Sequence, residues 1–152
     1  MEGNKDMVKD LNSLVEINND RVEGYKKAMK ETEDSDLKEV FKDMAEHSFK
    51  FKNELADEIM KAGGEPTTGT KTTGKIYRAW MDIRSALTNK DRKAILSSCE
   101  YGEDAALETY EEVLKSSNLS QAARSVIDQQ KGLLAQDHNK IKAMRDLEKN
   151  KG

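Results

Sequence analysis

The sequence predicts an all-α fold: a four-helix bundle made of two antiparallel helix hairpins, with a short additional helix in the connection between helices 2 and 3. Three observations carry this. Apolar residues recur at three- and four-residue spacing through most of the 152 residues, the period of a helix with one buried face. The only proline, Pro66, lies beside Gly63 and Gly64 and a stretch rich in Thr and Gly, so the chain has one long break and otherwise short turns. Nowhere do apolar and polar residues alternate over a strand's length. A chain of this size forms one domain, 1–152, and buries about 70% of its unfolded surface in a single core.

The first helix is predicted over about residues 5–33, with Met7, Leu11, Leu14, Val15, Val22, Tyr25 and Met29 on one arc. Asp34, Ser35 and Asp36 form a polar turn that offers an N-cap to a second helix at about 36–62. Its stripe is Leu37, Val40, Phe41, Met44, Phe51, Leu55 and Ile59, and Gly63 and Gly64 stop it. Thr67 to Lys75 lacks periodicity and is a connection. A short amphipathic helix at about 75–88 carries Ile76, Trp80, Ile83 and Leu87 inward. Asn89 and Asp91 restart the chain as a helix over about 91–116, along a seam of small residues: Ser98, Gly102, Ala105, Ala106 and Thr109. A mid-helix glycine costs about 1 kcal/mol against alanine, so Gly102 implies a close helix neighbour. The last helix, about 120–148, points Val126, Ile127, Leu133, Leu134, Ile141 and Met144 inward. If the loop at 64–74 and the short helix span the bundle, the third long helix runs parallel to the second, the ferritin-like arrangement with one crossover. A plain up-down-up-down bundle capped by the short helix is the alternative.

Composition removes several classes of function. With 26 basic and 29 acidic residues intermixed along the helices, no nucleic-acid patch or face for anionic membranes stands out. Met1 to Asp10 contains no apolar signal segment, and no apolar run approaches the roughly 18 residues of a membrane span, which predicts a soluble, cytoplasmic protein. A single cysteine, Cys99, excludes an internal disulfide and a cysteine-rich zinc site.

The stretch Leu11 to Pro66, the run Gly102, Glu103, Asp104, Ala105, Ala106, the segment from Asp137 and His138 to Leu147, and Tyr77 to Asp82 in the short helix together resemble the DUF2383 family of small bacterial four-helix bundles. The resemblance covers nearly the whole chain. It implies membership of the ferritin and rubrerythrin superfamily, whose members are often stress-associated, and it implies no particular reaction.

A di-iron bundle takes one carboxylate from each of two helices and a Glu-x-x-His pair from each of the other two. Laid on this chain by its apolar residues, that pattern falls on Asn18, then Ser48 and Phe51, then Glu103, then Leu134 and Asp137. Only Glu103 and Asp137 keep a carboxylate. No Glu-x-x-His occurs, because Met44 precedes His47 and Ala135 precedes His138 by three residues. Asn18, Ser48, Gln130 and Asp137 sit near the middle of their stripes and predict a polar layer across the core, whose groups need partners. The plain reading is a hydrogen-bonded layer that fixes helix register in an inert bundle. The sharper one is a reduced metal site in which Glu23, His47, Glu103, Asp137 and His138 hold one Fe, Mn or Zn ion. Glu23 weakens this set, since it lies more than a third of a turn from the centre of its stripe.

Tyr25, Tyr101 and Tyr110 read as core aromatics and Cys99 as a small buried group. Lys38, Lys42, Lys50 and Lys52 form a solvated face, and Trp80 anchors the short helix. Three classes of function follow: a non-enzymatic, stress-associated ferritin-like bundle, which the lost ligands favour and which needs no cofactor; a metal-binding protein or metal-dependent oxidoreductase; and an interaction module that docks a protein partner or forms a homodimer through Tyr77, Trp80 and Met81.

Overall fold

In the computed structural model, which describes residues 2–150, the apolar periodicity becomes five helices. They are α1 (Glu2–Glu31), α2 (Ser35–Lys61), α3 (Gly74–Thr88), α4 (Arg92–Leu114) and α5 (Gln121–Asn150), with no strand among the described residues. Each end has a local cause. Asp34 stands extended before α2 without capping it through its side chain, and its carboxylate pairs with Arg92 instead. After α2, Gly63 takes the left-handed conformation at φ 82° and Gly64 donates its N–H back to the Ile59 carbonyl at 3.0 Å, a glycine stop. The Asp91 carboxylate caps α4 by accepting the Ala94 N–H, and the Ser120 hydroxyl caps α5 by accepting that of Ala123.

α1 packs along α2 and α4 along α5, giving the two expected hairpins, while α1 also faces α4, α2 faces α5, and α3 lies on α4 and α1. Asn18 meets Tyr110 and Arg21 meets Glu103, so α1 and α4 run antiparallel. His47 meets Asp137 and the Phe51 carbonyl meets Gln130, so α2 and α5 do too. α2 and α4 are therefore parallel, and the chain between them travels the length of the bundle along α1. Asn12 binds the Glu65 carbonyl and the Thr67 N–H, Asn19 binds the Gly69 carbonyl, and Lys90 beyond α3 reaches Glu33. The connection that carries α3 thus joins two parallel helices.

Asp20 pins the same connection by accepting the Lys71 N–H at 2.9 Å. Burial, against that hydrogen bond, raises its pKa from 3.8 to about 6. The folded chain thus pays for an ionised Asp20 above pH 6, and the penalty vanishes below the ordinary carboxylate range. Asp20→Asn, which keeps the acceptor, is expected to be more stable than wild type to urea at pH 8 and equal to it near pH 4. A variant that is weaker at pH 8 would contradict this.

The core divides into two apolar clusters. One gathers Met7, Leu11, Leu14, Leu55, Ile59, Tyr110 and Ile127, and the other Tyr25, Leu37, Phe41, Met44, Ile83, Leu96 and Ile141. Asn18, Arg21, Ser48, Glu103 and Asp137, all buried, fall between them along their helices. Two residues expected inside lie outside: Leu133 and Tyr101 are exposed, because Leu133 is turned about 100° from buried Leu134 and Tyr101 about 200° from buried Glu103. Cys99 is buried and burial pushes its thiol pKa well up, which keeps it protonated. Among the described residues no helix is long and apolar enough to cross a membrane.

Candidate functional site

Three- and four-residue spacing on α1 stacks Asn18, Arg21 and Tyr25 on the face that meets α4 and α5. Two turns apart on α5, Gln130 and Asp137 point into the same space, and α4 contributes Glu103 and Tyr110. These side chains form one chain of hydrogen bonds. Gln130 donates to the Phe51 carbonyl at 3.0 Å and to Glu54, and accepts from the Tyr110 hydroxyl at 2.7 Å. Tyr110 in turn accepts from Asn18 at 2.8 Å. Arg21 Nη1 approaches the Asn18 oxygen at 3.5 Å, and Nη2 donates to Glu103 at 2.8 Å and to Asp137 at 3.2 Å. Tyr25 is buried beside them, its ring centre 5.7 Å from the Arg21 guanidinium carbon. At the outer end His47, half exposed, places Nδ1 3.1 Å from both Asp137 oxygens beside a cleft of about 310 Å³ that also bears Asp43 and Lys140.

The charges explain the arrangement. Burial pulls the Arg21 pKa down, but Glu103 and Asp137 outweigh it and hold the guanidinium charged. Burial likewise raises the Glu103 pKa, and Arg21 opposes that rise. Two buried carboxylates thus share one internal cation, the arrangement that spares each ion an unpaired burial.

Ser48 is buried as expected but satisfied within its own helix, its hydroxyl donating to the Met44 carbonyl at 2.6 Å. Asn18 and Gln130 belong to the network, and Asp137 ends it. The five candidate ligands do not come together. Glu103, Asp137 and His47 group around Arg21, whereas Glu23 is exposed and lines a separate cleft with Gly24, Trp80 and Ile83. His138 turns toward α4. There Nε2 lies 2.6 Å from Asp104 Oδ1 and 3.8 Å from Glu100 Oε1, while Arg145 engages Glu100 through Oε2.

Arg21 was overlooked in the sequence although its spacing placed it on the stripe with Leu14, Asn18 and Tyr25. It also decides the test of the di-iron pattern. Of the six ligand positions only Glu103 and Asp137 carry carboxylates, and the guanidinium stands between them. These residues do not fit a dinuclear iron centre.

Against known families, a model described as a domain of unknown function, DUF2383, matches residues 6–116. The chain belongs to this family. The DUF2383 match spans α1 to α4, including Arg21, Glu100, Glu103 and Asp104, and ends before α5, which supplies Gln130, Asp137 and His138. A search of curated proteins finds no match to the chain.

Proposed function

We propose that this DUF2383 protein is a single-domain, ferritin-like bundle in which a fixed internal cation stands where the wider superfamily would hold metal, and that it works as a non-enzymatic binding or assembly protein. One observation carries the reading: Arg21, fully buried, pairs with both carboxylates that remain of the six-ligand pattern. A guanidinium always carries its charge and cannot change oxidation state. It therefore pairs with Glu103 and Asp137, offsetting one of their two charges, without supplying redox chemistry. A cytoplasmic setting fits the lone, buried Cys99, which needs no oxidising compartment. The stress-associated role comes from the resemblance to the superfamily. Tyr77 and Met81 on α3 are two of the large apolar side chains left exposed and are open to a second chain.

The test is oxidation of ferrous iron. Ferrous salt mixed with the untagged protein and then with oxygen is expected to oxidise at the rate seen in protein-free buffer, followed by ferric absorbance. A faster rate that disappears in Glu103→Gln or Asp137→Asn would replace this reading with a redox metal protein.

A further inference from the structure

A second polar cluster, separate from the Arg21 network, lies at the edge of the α4/α5 seam. Glu100 and Asp104, one helical turn apart on α4, project on one face toward His138 of α5. One donor atom from each of the three lies within 4.8 Å of the others. The imidazole is set for ligation. Its Nδ1 stands 3.3 Å from the Asn139 side-chain oxygen, and in the tautomer with the proton on Nδ1 the lone pair of Nε2 faces the two carboxylates. Nε2 itself is buried and has no aligned hydrogen bond despite its 2.6 Å approach to Asp104. Arg145 engages Oε2 of Glu100 and leaves Oε1 facing the histidine. One imidazole nitrogen and two carboxylate oxygens, one from each residue, therefore converge on one small space at the edge of the seam.

We propose that Glu100, Asp104 and His138 bind one zinc ion, with the fourth position open to water on the exposed side of Asp104. The donor set is one imidazole and two carboxylates, which suits a borderline divalent cation better than Mg²⁺ or Ca²⁺, whose ligands are oxygens. Tetrahedral zinc with ligands at about 2.0–2.2 Å sets its donor atoms roughly 3.4 Å apart. The observed separations of 2.6 and 3.8 Å bracket that value. Two carboxylates against Arg145 leave one negative charge to receive the ion. The site goes beyond the function proposed above and is independent of it, since it shares no residue with the Arg21 network.

Isothermal titration of the full, untagged chain with zinc chloride, and with magnesium chloride as control, tests the site. One zinc per chain is expected, with no saturable magnesium binding. His138→Ala is expected to weaken zinc binding by more than about tenfold, a loss that even an outer-shell partner can cause. His47→Ala, next to the Arg21 network, is expected to bind zinc as wild type does. Circular dichroism verifies that the variants fold, and Asp104→Asn serves if His138→Ala does not. Absence of saturable zinc binding, or affinity kept in both the His138 and Asp104 variants, would overturn the site. Loss in His47→Ala with retention in His138→Ala would overturn it too, and would count against the metal-free core as well.

Discussion

Arg21→Met is expected to destabilise the protein by about 3–5 kcal/mol, read from urea unfolding at neutral pH, because it strands two carboxylates in the core. Arg21 is the only cation within hydrogen-bond distance of Glu103 among the described residues, and Asp137 keeps only the half-exposed His47. The pH dependence follows. Without the guanidinium that opposes the effect of burial, the Glu103 carboxyl is held protonated in the folded chain to a higher pH than in the unfolded one. The loss is then smaller at pH 4, where the unfolded chain is also largely protonated, than at pH 8. A triple variant, Arg21→Met with Glu103→Leu and Asp137→Leu, is expected to recover most of the stability, since an apolar replacement of a whole buried ion triad is often neutral or better. A single variant within about 0.5 kcal/mol of wild type, the range of ordinary surface changes, would mean that Glu103 and Asp137 find other partners.

The recovery matters for function as well as for stability. If the triple variant folds as well as wild type and still performs whatever binding the protein does, the network is a neutraliser of charge left from a ligand set. If it folds but loses oligomeric order or partner binding, the network fixes the register on which that binding depends, the use of buried polar groups best attested in helical bundles. Charge counting favours a neutraliser. Six ligands around two divalent ions must carry several negative charges, whereas only two carboxylates are left here, facing one guanidinium.

How much of this was legible in the sequence depends on the distance over which each feature is decided. Helices are decided locally, and the stripes from Met7 to Tyr25 and from Leu37 to Ile59 located α1 and α2 to within two or three residues. The polar layer was legible for the same reason, as Asn18, Gln130 and Asp137 interrupt apolar stripes. The pairing was not. Arg21 finds its partners 82 and 116 residues away, and nothing in its own neighbourhood names them. Helical rotation accounts for the site residues that diverged. Two residues past Arg21, Glu23 is turned by about 200° and faces out. One residue past Asp137, His138 is turned by about 100° and leaves the core for the α4 side, where Glu100 and Asp104 wait. The crossover needed contacts between Asn12, Asn19 and Asp20 and a loop some fifty residues on, which periodicity cannot show.

Three glycines inside helices provide the second large effect, and the structure assigns them different outcomes. In an unconstrained helix, alanine for glycine gains about 1 kcal/mol. At Gly132 on α5 an added Cβ meets nothing within 4 Å, so Gly132→Ala is expected to gain close to that amount. At Gly102 it meets the Ala79 Cβ at 3.3 Å, where α3 lies on α4, and a small adjustment of α3 is expected to cancel most of the gain. At Gly24 it comes within 2.2 to 2.6 Å of three carbons of the Trp80 ring, which also packs edge-on to Tyr25 at 4.9 Å. A ring packed edge-on to Tyr25 and against both apolar clusters cannot yield as a flexible chain end would. Overpacking of this kind costs about 1–3 kcal/mol beyond the helical gain it cancels, so Gly24→Ala is expected to lose about 2 kcal/mol net. The loss should be concentrated in α3: amide exchange is expected to rise in residues 74–88 while α4 and α5 stay protected. Equal shifts in thermal midpoint for Gly24→Ala and Gly132→Ala would mean that Trp80 does not hold the crossover to α1. If the order is Gly132, Gly102, Gly24 from gain to loss, the tryptophan ring seated on a glycine is what fastens α3, and with it the parallel course of α2 and α4, to the rest of the bundle.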